Sequence, residues 1–261
     1  MEDIAIKLVA SPLLIGAASL VGRRWGQSVA GWLVGLPLTS GPVAFFLALD
    51  YGAGFAVRAA AGSLAGTAVQ AGFCLAYVRA AQVCNWPIAL MAATVAFVLG
   101  GVLCEITAPR LAVLLPLAVT ALALALRLLP RAAAPARIAI APPKWDVPAR
   151  MIVAAGLVVG LSSAAPLIGP QLAGLIATYP VFASVLAVFA HCLEGEPAAR
   201  RVLQGLLIGL FGFAGFFAVL AGALPTFGVT GAFACAALTA LAIQGCSLWL
   251  IRRRGIALCA R

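Results

Sequence analysis

Two clusters of proline, glycine and hydroxyl residues interrupt apolar runs of this chain. Pro37, Thr39, Ser40 and Gly41, followed by Pro42, form the first. Thr178, Tyr179, Pro180 and Ser184 form the second. Proline removes a backbone donor and blocks the turn before it. Inside a bilayer the freed amides and carbonyls need partners, so such breaks occur where the backbone is buried in protein or lines a polar cavity. A helix restarting after each break would present free N–H groups and roughly half a positive charge. With hydroxyls at the same depth, that chemistry suits a small anionic solute. The bland alternative is a kink that shapes packing, its hydroxyls bonded to nearby backbone. His191, the single histidine, lies about three turns beyond Pro180 at 1.5 Å per residue. It is the candidate for a gating or proton-linked role.

The elements that must position these residues are membrane helices. Of 261 residues, 64% are hydrophobic and only 9% charged, and the mean hydropathy is +1.14. A soluble domain carries about a quarter charged residues. The expected fold is therefore an all-α polytopic membrane protein, with the lipid bilayer as its main partner. A bilayer crossing needs about 20 mostly apolar residues. Nine stretches qualify as candidates: 4–21, 29–49, 57–78, 87–106, 110–129, 150–167, 172–192, 202–222 and 228–251. The net charge of +10 does not point to nucleic acid, because basic residues mark cytoplasmic loops in such proteins. With the N-terminus outside, 14 of the 17 Lys and Arg fall in inside loops. Lys7, Arg58 and Arg110 fall outside. The expected location is a bacterial-type inner membrane, crossed many times, with the C-terminus in the cytoplasm.

The two proline clusters belong to a longer repetition. Pro180 follows Pro37 by 143 residues, and that offset holds without a gap from Gly31 to Phe73. Thirteen of those 43 positions are identical, including Gly52 with Gly195, Arg58 with Arg201 and Gly66 with Gly209. This is the signature of two copies of one unit. Residues 1–106 form a first four-helix repeat, and 107–145 supply a linking span and a basic, Pro-rich cytoplasmic linker. Residues 146–261 form the second repeat. One linking span turns the second copy upside down, a plan that recurs in transporters. Gly62-xxx-Gly66 and Gly205-xxx-Gly209 are sites where helices could approach closely.

Residues 150–254 resemble the GlpM-like (YdgC-like) family of small four-helix inner-membrane proteins. The resemblance rests on Ala173, Gly174, Leu175, Pro180, Phe182, Ala183 and His191, with the basic Arg200-Arg201 after them. It implies that the chain is a fused, inverted pair of such units, with an envelope-linked role tied to exopolysaccharide production. The first copy departs from the pattern: Thr39, Ser40 and Ala48 stand where Phe182, Ala183 and His191 do.

Absences narrow the chemistry. No Asp, Glu, Lys or Arg falls in the middle of a predicted span, so the usual exchangeable carboxylate of a proton antiporter is missing. Gln70, Gln204 and Gln244 could bond across helices instead. The seven cysteines form neither a CxxC nor a disulfide framework, and no metal or cofactor is called for. HExxH and serine-nucleophile motifs are missing, so an enzyme is not expected. The expected function is a small-solute transporter or channel with its site where spans 29–49 and 172–192 break. The alternative is a non-transporting accessory protein of envelope polysaccharide or lipid assembly. Oligomeric state is open, and a homodimer is one arrangement. The charge distribution predicts that a fluorescent protein fused at the C-terminus matures in the cytoplasm, whereas alkaline phosphatase at that position stays inactive. An active phosphatase fusion would reverse the orientation.

Overall fold

The computed structural model describes residues 2–38, 40–107, 110–130, 143, 145–164 and 178–259. These fold into nine helices with no strand among them. They are α1 (Glu2–Trp25), α2 (Gln27–Val34), α3 (Ser40–Tyr51), α4 (Ala53–Ala81) and α5 (Trp86–Thr107) in the first half of the chain. The linking α6 (Leu111–Leu128) follows. The second half holds α7 (Asp146–Ala164), α8 (Val181–Glu194) and α9 (Glu196–Cys259). Four described segments are long and apolar enough to cross a bilayer: α4, α5, α6 and the Glu196–Trp249 stretch of α9. The protein is a multi-pass helical membrane protein. At 1.5 Å per residue, the 54 residues of that stretch are roughly twice a bilayer's thickness. Gly228 resolves the excess: at φ 64° it breaks the helical backbone, dividing α9 into limbs 196–227 and 229–259.

Apolar side chains face both ways, as they must in lipid. On α5, Ala89, Ala93, Phe97 and Gly101 recur every four residues and are buried. Met91, Leu99, Leu103 and Ile106 are exposed. On α6, Leu114, Ala118, Leu122 and Ala125 make a second such buried stripe. The core lies around α4 and the first limb of α9. One cluster gathers Phe73, Tyr77, Leu186, Leu203 and Leu207. The other gathers Leu64, Ala48, Phe217 and Leu220.

The helix directions follow from which residues meet. Arg23 reaches Asp146, and Gly16 lies against the Met151 side chain, so α1 and α7 run antiparallel. Phe73 meets Tyr179 and Tyr77 meets His191, so α4 and α8 run the same way. In turn, α8 doubles back into α9 at Gly195.

The closest packing is backbone on backbone. A Cβ on Gly31 would overlap the Val202 carbonyl oxygen, and one on Gly205 would overlap that of Ser28. A Cβ on Gly35 would sit 2.7 Å from the Gly209 Cα. Thus α2 lies directly on α9, and the Gly205–Gly209 pair is a close-approach site. The first-half pair divides. Gly66 faces Thr178, where a Cβ would lie 3.0 Å away, while Gly62 faces open space.

Two elbows use glycine for its backbone freedom. Gly52 joins α3 to α4 at φ 82°, ψ 169°, and Gly195 joins α8 to α9 at φ 86°, ψ 178°. This region is essentially closed to other residues. Replacing Gly205 by Ala should destabilise the protein by about 1–3 kcal/mol or more through overpacking. Gly62→Ala should fall within about 0.5 kcal/mol of the parent. Denaturation in mixed micelles measures both, and equal losses would contradict the close crossing.

Candidate functional site

The first proline cluster separates α2 from α3, and the second stands at the start of α8. After Val34 the Gly35 amide still bonds to the Gly31 and Trp32 carbonyls, at 3.2 and 3.1 Å. The chain then tightens: Leu38 N–H donates to the Leu36 carbonyl at 2.8 Å, enclosing Pro37 in a three-residue turn. Ser40 opens α3, and Gly41 N–H donates back to the Pro37 carbonyl at 2.9 Å. Thr39 lies outside the described residues. Gly41 is buried against the Phe216 ring, 3.5 Å from where its Cβ would be.

The second break has the same construction. Val181 N–H donates to the Tyr179 carbonyl at 2.8 Å around Pro180, which lies at φ −78°, ψ 63°, an inverse γ-turn. Ser184 N–H then donates to the Pro180 carbonyl at 2.8 Å. Each of these bonds lies 143 residues after its counterpart around Pro37. The elbows repeat the correspondence. Gly52 N–H donates to Ala48 and Gly195 N–H to His191, at 3.1 and 3.0 Å.

What surrounds the two breaks differs. At the second, Gln70 of α4 donates to the Thr178 carbonyl at 3.2 Å, supplying a partner to a backbone group that the break frees. The Tyr179 hydroxyl pairs with Thr94 of α5 at 2.9 Å. Its ring lies edge-on to Phe73 and Phe97. The Ser184 hydroxyl turns to the Pro180 carbonyl at 2.9 Å, its own backbone. At the first break the neighbours are Gly209 and Phe216. Close by, Gln244 donates to the Gly209 carbonyl at 2.7 Å, and Trp32 Nε1 donates to the Ser247 hydroxyl at 2.9 Å. Two of the three candidate glutamines therefore do bond between helices, while Gln204 is exposed.

A narrow cleft joins the two breaks. Leu14 and Ala18 of α1 line it with Leu33, Leu36 and Leu38 from the first break and Phe182 from the second. Its volume is about 30 Å³, room for about one or two waters. The lining is apolar. Of the sequence-derived candidates, Pro37, Ser40 and Gly41 sit together at one break, and Thr178, Tyr179, Pro180 and Ser184 at the other. His191 belongs to neither. It stands at the far end of α8, its Nδ1 3.2 Å from the Tyr77 hydroxyl.

Around His191 the structure assembles a charged group that the span pattern does not reveal. Asp146, with its side chain only 2% exposed, accepts from Arg150 Nε at 2.7 Å and from Arg23 at 3.1 Å. The Arg150 guanidinium also lies over the Phe189 ring. Gln27 donates to Glu194, which is paired with Arg201 at 3.9 Å. Arg200 is buried, with Glu196 at 3.7 Å. Asp146 opens the second repeat and Arg150 its first span, and their spacing of four at a helix start is the signal of an ion pair on one face.

No protein-family model matches the chain, and no curated protein or solved structure resembles it significantly. Among the described residues no cluster of three or more His, Cys, Asp or Glu could hold a metal.

Removing one partner of a buried ion pair leaves the other charge uncompensated. Asp146→Ala should therefore cost about 3–5 kcal/mol. Arg23→Ala removes the more exposed partner and should cost about 0–1 kcal/mol. Denaturant titration of the purified protein compares them; equal effects would mean that Asp146 is not the centre of the group.

Proposed function

We propose that this protein moves a small solute across a bacterial-type inner membrane as a transporter or channel. In this reading it consists of two inverted four-helix repeats joined by α6, a fused pair of GlpM-like units. The observation that carries the reading is the double break. Inside the apolar bundle the same proline-centred turn separates α2 from α3 and opens α8, and one cleft touches both. An intact helix satisfies its own backbone, so two interruptions in lipid need a reason. Transporters of inverted-repeat design use interrupted helices to build a site near the bilayer centre. The equal offset of the turn and elbow hydrogen bonds supports two copies of one unit. The antiparallel course of α1 and α7, which occupy corresponding positions, supports their inversion. The starts of α3 and α8 favour an anionic solute, because the positive end of each helix dipole lies there.

One observation favours the second reading, an accessory protein of envelope polysaccharide or lipid assembly. The cleft is small and apolar, and Tyr179 and Ser184 are engaged with protein partners. Liposome reconstitution separates the two. The transport reading expects uptake of at least one small organic or inorganic anion above the protein-free level. Pro37→Ala should return that uptake to background while the protein stays folded and monodisperse. Absence of flux across a broad anion and metabolite panel, with stable co-purification of an envelope assembly component, would replace this reading with the second.

A further inference from the structure

The two ends of the bundle are joined differently. At the end carrying Arg23, Asp146 and Glu194, three side-chain pairs tie the first half of the chain to the second. Arg23 of α1 meets Asp146 of α7, Gln27 of α2 meets Glu194 of α8, and Tyr77 of α4 meets His191 of α8. Three helices of one half are thus fastened to two of the other. At the opposite end the described side-chain hydrogen bonds, Thr107 to the Leu103 carbonyl and Thr226 to the Ala223 carbonyl, stay within their own helices.

The sequence gives the reason. Shifted by 143 residues, Arg23 and Gln27 become Pro166 and Pro170, while Glu194 becomes Tyr51. None of these can repeat the pairing. Tyr77 and His191 become Leu220 and Ala48, which are both buried in one apolar cluster. Yet Asp146 and Arg150 correspond to Asp3 and Lys7, so the local charge pair is kept in the sequence of both halves. What differs is the set of residues that reach across.

We infer that the Arg23–Asp146–Arg150, Gln27–Glu194 and Tyr77–His191 contacts form a polar latch. It holds this end of the bundle shut, and its release opens the broken-helix region to the adjoining aqueous side, the cytoplasm in the orientation above. The physical argument lies in what opening does to each end. Parting an apolar seam exposes hydrocarbon to water, which opposes opening in proportion to area. Parting a buried ion pair returns both charges to water, and the hydration regained offsets much of the lost attraction. A polar seam is therefore the end poised between closed and hydrated states, whereas the apolar seam behaves as the hinge. The inference rests on the transport reading for its role in flux, but the opening itself is observable without any flux.

The test places one cysteine in the cleft, Leu36→Cys, in a chain whose seven native cysteines are replaced by alanine. A membrane-impermeant maleimide is added to inside-out vesicles. The closed end predicts slow labelling in this background. Adding Asp146→Asn should raise the rate about tenfold, the response of a two-state equilibrium to a modest shift. A second arm covers misfolding of that variant. Gln27→Cys with Glu194→Cys, oxidised to a disulfide, should hold labelling of the cleft thiol, read by peptide mass, at or below the starting rate, and reduction followed by removal of the reductant should release it. Labelling unchanged by Asp146→Asn in folded protein, or unchanged between oxidised and reduced forms, would overturn the latch. Labelling that responds as expected while liposomes show no solute flux would keep the latch and remove the transport reading.

Discussion

The structure depends first on the fate of backbone amides and carbonyls in lipid. A continuous helix satisfies them internally, and an interruption exposes several at once. Here one interruption separates α2 from α3, and the start of α8 is closed by the same means. A three-residue turn around proline pairs the flanking residues, and the next helix begins with a bond back to the proline carbonyl. At the second break, Gln70 then reaches across from α4 to the Thr178 carbonyl. Ser184 serves the same break from within, its hydroxyl donating to the Pro180 carbonyl.

A second constraint is proximity. The short helix before the first break lies on α9 at backbone contact, through Gly31, Gly35, Gly205 and Gly209. At the second break the corresponding contact is Thr178 against Gly66, at 3.0 Å from a hypothetical Cβ. In lipid such contacts draw on dispersion and hydrogen bonding, since little hydrophobic driving force acts between apolar helices. Each break is thereby braced against the central helix of the other half. The charged group at the Arg23 end lies at the same interface between halves.

Much of this was legible in the residues. The apolar composition gave the class, and the proline clusters gave the positions of the two interruptions. The 143-residue offset anticipated that turn and elbow would be built alike, down to Gly52 and Gly195. The surroundings of the breaks were harder to see. Tyr179 looked like a free hydroxyl at mid-span and is instead paired with Thr94, whose distance in sequence carries no signal. Gly62 shares its motif with Gly66 yet meets nothing, because a GxxxG spacing names a helix face and not the neighbour that covers it. The spacing of Asp146 and Arg150 signals their mutual pair but not their burial, which comes from α1 and α8, distant in the chain.

By itself, then, the sequence determined that the chain is helical and membrane-spanning, with tight turns at Pro37 and Pro180. These properties arise from local chemistry: apolar side chains, absent amide donors and glycine backbones. Only the tertiary structure decided which helices touch, that the cleft between the breaks is narrow and apolar, and that the charged side chains joining the halves gather at one end. Those outcomes depend on pairs of residues more than a hundred positions apart, such as Arg23 with Asp146 or Tyr77 with His191. Their partnership is set by packing, and packing has no signature in a single chain read along its length.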